Sequence, residues 1–415
     1  MFKSGLGYKQ IESVFKVLFS DSSQKKPSDS TIRLWLMRFG YAKLNTPLPD
    51  GQWLMISDVT VDIGTLKCLV SVGVNLDVLY ERDDITLTLN DLDIVGIHPT
   101  QKATGEFAKK SFREDIDRLG GIETLKGIII DQGSDLTKGA KLLQEGGAKL
   151  TFLHDISHKL SHVLEKDLKD DPLWEEYTKQ LTKTKQLVQQ TELAGLQPPK
   201  QRTKARFMNV ALYVDWFSEF KKSKRAGNLD KIPEERFNEY FGWMSNFEFF
   251  HEVIQQKVSV VEMIKDTIRR DGYSVETYEH LINILDTMPI DGGVHSFVCD
   301  ALDAVYEEVE KLNDGERLPG TSEIIESLFG SHKHHSACGG HGITGNVLTI
   351  GSLVGKTQTG EEIGKTMEET SVKSVLDWVA NNVGDTLAKL RNRFFPKPFK
   401  GQNLTDCNEA VFAAG

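Results

Sequence analysis

The chain has 415 residues, of which 39% are hydrophobic, so it can bury at least one large core, and two or three folded units are the natural expectation. No apolar run approaches the roughly 18 to 20 residues that span a bilayer, and the four cysteines lie far apart without a CxxC pair, which argues against a membrane partner and against a dense disulfide framework. The sequence also opens without a signal-peptide pattern. We expect a cytoplasmic, nucleoid-associated protein, or a nuclear one in a eukaryotic cell.

The net charge of −10 is unevenly distributed along the chain. Residues 1–46 contain eight basic and three acidic residues, a charge of +5, so the other 369 residues carry −15. A basic head of this kind could bind DNA phosphates while an acidic body presents carboxylates to metal ions. The alternative is an acidic enzyme whose terminus is basic by chance.

The basic segment, residues 1–46, contains two stretches with helical periodicity, YKQIESVFKVLF and DSTIRLWLMRFG. Apolar residues define the expected buried face of the second stretch: Ile32, Trp35, Leu36 and Phe39. Its exposed face would carry Thr31, Arg33 and Arg38. The pattern fits a helix-turn-helix module whose second helix enters the major groove, with Arg33 and Arg38 contacting DNA. An ordinary helical hairpin would show the same periodicity.

After the linker NTPLPDG, residues 50–160 alternate between short β-branched strands and amphipathic helices. The predicted strands are QWLMISDVTV, TLKCLVSVGVNL, ITLTLNDLDIVGI, KGIIIDQGSD and KLTFLHD. The order is β-β-β-α-β-α-β, which is that of the ribonuclease H (RNase H) fold, with three antiparallel strands followed by parallel strands reached through helical crossovers. The predicted fold class is therefore α/β with an RNase H-like mixed sheet.

The second half of the chain has helical periodicity. Residues 161–318 lack strand alternation, which predicts an all-helical insertion after the fifth strand. We expect the core to resume over residues 319–345, where PGTSEIIESLFGSHK starts a closing helix. Residues 346–415 form a helical tail, in which SVKSVLDWVANNVGDTLAKLRNRFF predicts a single amphipathic helix.

Two carboxylates occupy unusual positions in apolar strands. Asp58 lies inside WLMISDVT, and Asp131 ends GIIID. A carboxylate there is costly unless it faces a solvated cleft or binds a cation. In the proposed topology the first and fourth strands are adjacent, so the two acids would lie side by side, and two Mg²⁺ or Mn²⁺ ions would relieve their repulsion and support phosphodiester transfer. Asp131 could instead only cap the next helix.

The closing helix offers a third carboxylate. Glu323 and Glu326 are three residues apart and share a face. Apolar neighbours of Glu326 place it near the buried side, so we assign Glu326 as the third ligand and keep Glu323 as the alternative. Lys333 could reach a DNA phosphate.

The succession of these segments resembles the DDE transposases. Asp58, then DQGSD after strand four, HDISHKLSH after strand five, a helical insertion and SEIIESLFG are arranged as in hAT-type enzymes and related bacterial insertion-sequence transposases. In hAT-type members a DxxSN-like segment and a CxxHxLxL-like segment follow strands four and five. This chain has Asp135 in place of Asn, and His154 or Asp155 near the place of Cys. The resemblance covers roughly residues 50–335.

The resemblance implies a DNA transposase that cuts at element ends and joins the liberated strand to target DNA, with Asp58, Asp131 and Glu326 holding two Mg²⁺ or Mn²⁺ ions. It also implies a homo-oligomer when two DNA ends are bound. His158 would lie at the edge of the active site, or would be a helix-facing histidine bonded to a backbone carbonyl. Asp155 could be an auxiliary ligand, or a helix cap.

Other residues could contact DNA or metal. A basic run in the insertion could grip the DNA end, or could be only a solvated face: Lys200, Arg202, Lys204 and Arg206. Trp216 and Trp243 are most simply core residues, with base stacking as the alternative. His335, Cys338 and His341 have ligand-like spacing for zinc, although a fourth ligand is not evident.

Two other functions compete with transposition. A nuclease on the same core would hydrolyse DNA or RNA without strand transfer, and the head and the large insertion disfavour it. A catalytically inactive, transposase-derived DNA-binding regulator is disfavoured by the three carboxylates.

Overall fold

The computed structural model describes residues 1–395 apart from Ser22, Gln24, residues 62–65, 202–206, 230–231 and 336–342, and Thr386. The chain divides into two compact units. The first unit comprises Met1–Leu153 and the chain from Ser322 onward, and the second comprises His154–Thr321. The predicted helix-turn-helix segment therefore belongs to the same unit as the strands.

The first unit opens with two helices, α1 (Tyr8–Leu18) and α2 (Asp29–Asn45). The Ser28 side chain caps α2 by accepting a hydrogen bond from the backbone N–H of Thr31. The two predicted helices are confirmed.

The buried face of α2 differs from the expected one. Met37 and Gly40 are buried together with the expected Ile32 and Phe39, whereas Trp35 is 39% exposed. The reason is a tertiary contact, because a 3₁₀ segment over Gly345–Ser352 packs along α2.

A five-stranded open sheet forms the centre of the first unit, in the order β3-β2-β1-β4-β5. Its elements in chain order are β1 (Trp53–Val61), β2 (Lys67–Asn75), the short helix α3 (Leu76–Leu79), β3 (Leu92–Thr100), α4 (Gly105–Arg118), β4 (Leu125–Ile130), α5 (Ser134–Glu145) and β5 (Thr151–His154). β1 pairs antiparallel with β2 and parallel with β4, and β2 pairs antiparallel with β3. This mixed sheet confirms the predicted α/β class.

The third strand is shorter than predicted. β3 begins at Leu92 because Leu89–Asp91 form a 3₁₀ turn. The carboxylate of Asp91 accepts hydrogen bonds from the N–H and the hydroxyl of Thr88 at 2.8 and 2.7 Å. Such local side-chain bonds compete with strand pairing.

One hydrophobic core packs helices α4 and α5 against one face of the sheet. Trp53 and Met55 of β1 belong to it with Phe112 of α4 and Leu143 of α5. Because side chains alternate along a strand, Asp58 projects from the opposite face of β1.

The second unit is helical. Its helices are α6 (Ile156–Leu168), α7 (Pro172–Val188), α8 (Val210–Arg225), α9 (Glu234–Phe241), α10 (Glu248–Asp271), α11 (Val275–Thr287) and α12 (His295–Val309). Tyr177, Phe217 and Phe247 contribute to an aromatic cluster in this unit. Residues 161–318, in which the sequence predicts only helices, lie inside this unit.

The chain after the second unit forms four helices in its described part, α13 (Glu323–His335), α14 (Gly360–Glu369), α15 (Val372–Asn382) and α16 (Leu387–Phe394). The prediction of one helix over residues 371–395 is wrong. Gly384 has φ +68° and its N–H bonds to the carbonyl of Val379 at 3.2 Å, which ends α15 in the left-handed conformation that glycine favours.

None of the helices in the described ranges combines the length and the apolar composition that a membrane crossing requires.

Candidate functional site

The sheet brings Asp58, inside β1, beside the position where β4 ends and Asp131 follows. β1 and β4 are parallel, with Ile56 opposite Ile129 and Ser57 opposite Ile130. The same register carried one residue further aligns Asp58 with Asp131. The prediction that the first and fourth strands are adjacent is confirmed.

Each aspartate is half-buried and held by a local hydrogen bond. The Oδ1 atom of Asp58 accepts from the N–H of Val59 at 2.6 Å, and that of Asp131 accepts from the N–H of Gly133 at 2.9 Å. A Cβ atom at position 133 would lie 2.7 Å from Asp131 Oδ1, so glycine leaves room for the carboxylate. Gly133, with no side chain, is the N-cap of α5, so Asp131 forms the turn before this helix and does not cap it.

The helix α13 packs against β1 and carries both candidate glutamates. Ile325, Leu328 and Phe329 are its buried residues near the start, whereas Glu326 is exposed and Glu323 is half-buried. The expectation that Glu326 lies near the buried side is therefore wrong. Adjacent residues of a helix are turned by about 100°, which carries Glu326 away from the buried stripe.

The three predicted carboxylates do not form a closed metal site. Among the described residues, no three His, Cys, Asp or Glu side chains are grouped so that they could hold a metal ion. Carboxylate oxygens on two adjacent strands are suitable ligands for Mg²⁺, so Asp58 and Asp131 fit part of such a site.

The structure gives Asp155 a role as a helix cap. Asp155 is buried, and its Oδ1 atom accepts from the backbone N–H of His158 at 2.9 Å at the start of α6. The cap interpretation is confirmed. His158 itself is half-buried in the first turn of α6, within the second unit.

A buried ionic network in the second unit was not expected from the sequence. Glu308 of α12 is fully buried and accepts from the backbone N–H of His154 at 2.9 Å, from Lys159 Nζ at 2.8 Å and from Lys311 Nζ at 2.6 Å. Burial alone would raise the pKa of Glu308. The hydrogen bond from the His154 side chain and the two ammonium groups outweigh that effect and lower the pKa to about 2. The members are scattered over more than 150 residues, so no local pattern indicates the network.

Several basic residues of the head are engaged inside the first unit. The Nε atom of Arg38 donates to the carbonyl of Thr370 at 2.9 Å, and its Nη2 atom donates to the carbonyl of Met367, at the C-terminal end of α14. The expectation that Arg38 lies on the exposed face is wrong, because these carbonyls hold a half-buried guanidinium. Lys43 Nζ likewise donates to the carbonyl of Val354 at 2.5 Å. Arg33 is exposed.

The predicted basic run of the insertion is described only at its start. Lys200 is exposed, and the pKa of Lys185 is lowered first by burial and then by the charge of Lys200, so two cations lie close together here. Arg202, Lys204 and Arg206 lie outside the described residues. Lys333, on α13, is exposed.

The two insertion tryptophans have internal partners. Trp243 Nε1 donates to Thr184 Oγ1 at 2.8 Å, and Trp216 Nε1 donates to the carbonyl of Leu196 at 3.2 Å. Both rings pack against Phe217. The core interpretation is confirmed.

The histidine cluster at the end of α13 is partly described. His335 is buried against Phe2, with ring centroids 4.6 Å apart, and neither of its ring nitrogens has a hydrogen-bond partner among the described residues. Cys338 and His341 lie outside the described residues, and the zinc hypothesis stays a prediction.

The chain was compared with known proteins: no family model and no curated protein matches it.

Proposed function

We propose that this chain is a DDE-type DNA transposase with an RNase H-like catalytic core, which cleaves DNA strands at element ends and transfers them to target DNA. The observation that carries the proposal is the parallel pairing of β1 with β4, whose register ends with Ser57 opposite Ile130, the residues immediately before Asp58 and Asp131. Two acids on adjacent apolar strands, both half-buried, suit metal-dependent phosphoryl transfer.

The arrangement of the sheet supports the RNase H-like assignment. Three antiparallel strands are followed by a fourth that is parallel to the first, after the crossover helix α4. A helix that follows a large helical unit, α13, packs against the first strand and carries two glutamates. Helix α13 is thus the proposed source of the third carboxylate.

In this proposal Asp58 and Asp131 bind two Mg²⁺ or Mn²⁺ ions together with Glu326, or with Glu323. When bound, the ions would activate the attacking oxygen and stabilise the leaving one. The hydrogen bond from Gly133 to Asp131 holds that carboxylate in one orientation. Helix α13 packs against β1, which makes it the element that would supply the glutamate.

DNA is the proposed partner, and the exposed cations Arg33, Lys200 and Lys333 are its proposed contacts. Arg38 is not among these proposed contacts, because backbone carbonyls bind its guanidinium. His158 is proposed at the edge of the site by the resemblance alone. We also propose that the chain acts as a homo-oligomer bound to paired DNA ends, in the cytoplasm or the nucleus.

The test is cleavage and joining of DNA that carries the element's own ends, in Mg²⁺ or Mn²⁺. We expect Asp58→Asn and Asp131→Asn each to lower the cleavage rate at least about 100-fold while DNA binding persists, because each removes a charged metal ligand. Asp135→Asn, four residues after the proposed ligand Asp131, is the matched control and should remain active.

The third ligand and the outcome of the reaction are read from the same assay. Loss of cleavage in Glu326→Gln but not in Glu323→Gln identifies Glu326, and the reverse identifies Glu323. Hydrolysis without joined products would favour the nuclease. An absence of metal-dependent cleavage by the unsubstituted chain, with DNA binding retained, would contradict the enzymatic proposal and favour the regulator.

A further inference from the structure

A cavity of about 320 Å³ lies in the first unit, where the linker after α2 meets the segment before α14. The ring of Phe39, the linker residues Pro47 and Pro49, and Ile94 form its apolar walls. Small-molecule sites begin at about 300 Å³ and combine apolar walls with a few polar groups. None of the residues proposed above for metal or DNA binding lines this cavity, so it is a separate site.

Gln358 and Asp93 supply two of the hydrogen-bond acceptors that line the cavity. The Oε1 atom of Gln358 is buried and has no hydrogen-bond partner among the described residues. Asp93 is half-buried, and burial raises its pKa although the charges of Lys43 and Arg118 act in the opposite direction. A buried acceptor without a donor is costly, so a ligand with N–H groups would be stabilised here.

A hydrogen-bond donor lies beside these acceptors. Lys43 Nζ donates one of its three protons to the carbonyl of Val354 at 2.5 Å and retains two others. Gly355 lies between the two groups, since a Cβ atom there would be 3.1 Å from Lys43 Nζ and 4.0 Å from Asp93 Oδ1. With φ +75° and no side chain, Gly355 keeps this part of the wall open.

The charges that line the cavity cancel. Lys43 and Lys356 oppose Asp93 and Glu362. A simple anion would meet two carboxylates and a simple cation would meet two ammonium groups, so the lining favours a neutral ligand with a donor and an acceptor side by side.

We propose that this cavity binds a nucleobase. An exocyclic amino group would donate to Asp93 and Gln358, and an adjacent ring nitrogen or carbonyl oxygen would accept from Lys43. The planar ring would lie against Phe39 and the linker prolines, since unpaired bases are bound in proteins by stacking together with edge hydrogen bonds.

The probes are the four deoxynucleosides, measured against the full chain by calorimetry and ligand-observed NMR with a chelator present. The three nucleosides that carry an exocyclic amino group should bind at least about tenfold more tightly than thymidine, which has none to donate to the acceptors. The measurement uses neither metal nor DNA cleavage, so its failure would leave the proposed transposase activity untouched.

Two variants assign the site. Gln358→Leu removes one acceptor and should weaken the binding of the nucleosides that carry an amino group about tenfold. Asp93→Asn can both donate and accept, so it should abolish most of the discrimination against thymidine. Glu368→Gln, an exposed change on α14 outside the cavity, should alter neither quantity.

The source of the base is resolved by a second arm with short single-stranded DNA. Tighter binding of the oligonucleotide than of the nucleoside, with the same response to both variants, identifies a base within nucleic acid, and equal affinity identifies free nucleosides. Either result supports the proposal. No binding of any nucleoside at millimolar concentration, binding that needs a phosphate group, or binding unchanged in both variants would overturn it.

Discussion

At the scale of single residues, the second unit depends on a buried charge. Glu308 is fully buried and accepts hydrogen bonds from a backbone N–H, a histidine and two lysines. Its pKa of about 2 lies below the ordinary value of 4.5. Because the folded-state pKa is depressed, the stabilisation is present above pH 4.5 and is lost as the pH falls from about 4.5 towards 2.

We predict that Glu308→Gln destabilises the protein by on the order of 3 kcal/mol at neutral pH, because it leaves the buried ammonium group of Lys159 without its buried carboxylate partner. The difference from the unsubstituted chain should shrink below pH 4. Denaturant unfolding followed by circular dichroism at pH 7 and pH 3 measures both effects.

The control is Glu307→Gln, which removes the other carboxylate that contacts Lys159, at 2.7 Å. Glu307 is mostly exposed, so this variant should lose less than about 1 kcal/mol. Equal losses in the two variants would show that burial of Glu308 is not the source of the stabilisation.

At the scale of elements, α2 depends on a close backbone contact with the 3₁₀ segment Gly345–Ser352. A Cβ atom at Gly40 would lie 1.8 Å from the carbonyl oxygen of Leu348. Gly351 of the same segment is also close to α2, since its own Cβ position is 3.0 Å from the carbonyl oxygen of Gly40. Backbone atoms cannot move aside as a flexible side chain can, so Gly40 does not tolerate a larger residue.

We predict that Gly40→Ala destabilises the first unit by roughly 3 kcal/mol or more, although alanine is the better helix former, because the two segments must separate. Thermal unfolding measures the change. Gly364→Ala in α14 is the matched control, since its Cβ position meets no atom within 4 Å, and it should raise stability by about 0.5 to 1 kcal/mol. A Gly40→Ala protein as stable as the original would refute the close contact.

At the scale of the whole molecule, charge constrains how nucleic acid could bind. The net charge is −10, so phosphates would be attracted only at local groups of cations. Lys185 and Lys200 form one such group in the second unit. In the head, by contrast, Arg38 and Lys43 are engaged by backbone carbonyls.

We predict that Lys200→Ala weakens DNA binding and reduces the slope of log affinity against log salt concentration by about 1, the value for one lost phosphate contact. Arg38→Ala should leave the slope unchanged while lowering stability. Fluorescence anisotropy over a range of salt concentrations measures the slope, and Lys373→Ala, an exposed change on α15, is the control. An unchanged slope in Lys200→Ala would remove the second-unit cations from the proposed DNA contacts.

Local patterns in the sequence predict most of the elements. The helices α1 and α2 and the strands of the sheet follow from periodicity. The elements whose bounds were predicted wrongly have local causes, such as the turn at Asp91 before β3 and the left-handed conformation of Gly384 in the tail. The predicted strand order also places Asp58 and Asp131 side by side. These features depend on residues close in sequence or on general rules of strand connection.

The tertiary structure alone decided the features that join distant parts of the chain. Glu308 meets His154 and Lys159 across about 150 residues, and α2 is covered by a segment some 300 residues later. The exposure of Glu326 and the hydrogen bonds of Arg38 to backbone carbonyls likewise depend on which segment packs against each helix. By itself the sequence determined the α/β class and the placement of the two acids on neighbouring strands, because alternation and register act locally. Burial, ion pairing and the cavity beside Lys43 required the folded chain, because only packing brings those groups within reach of one another.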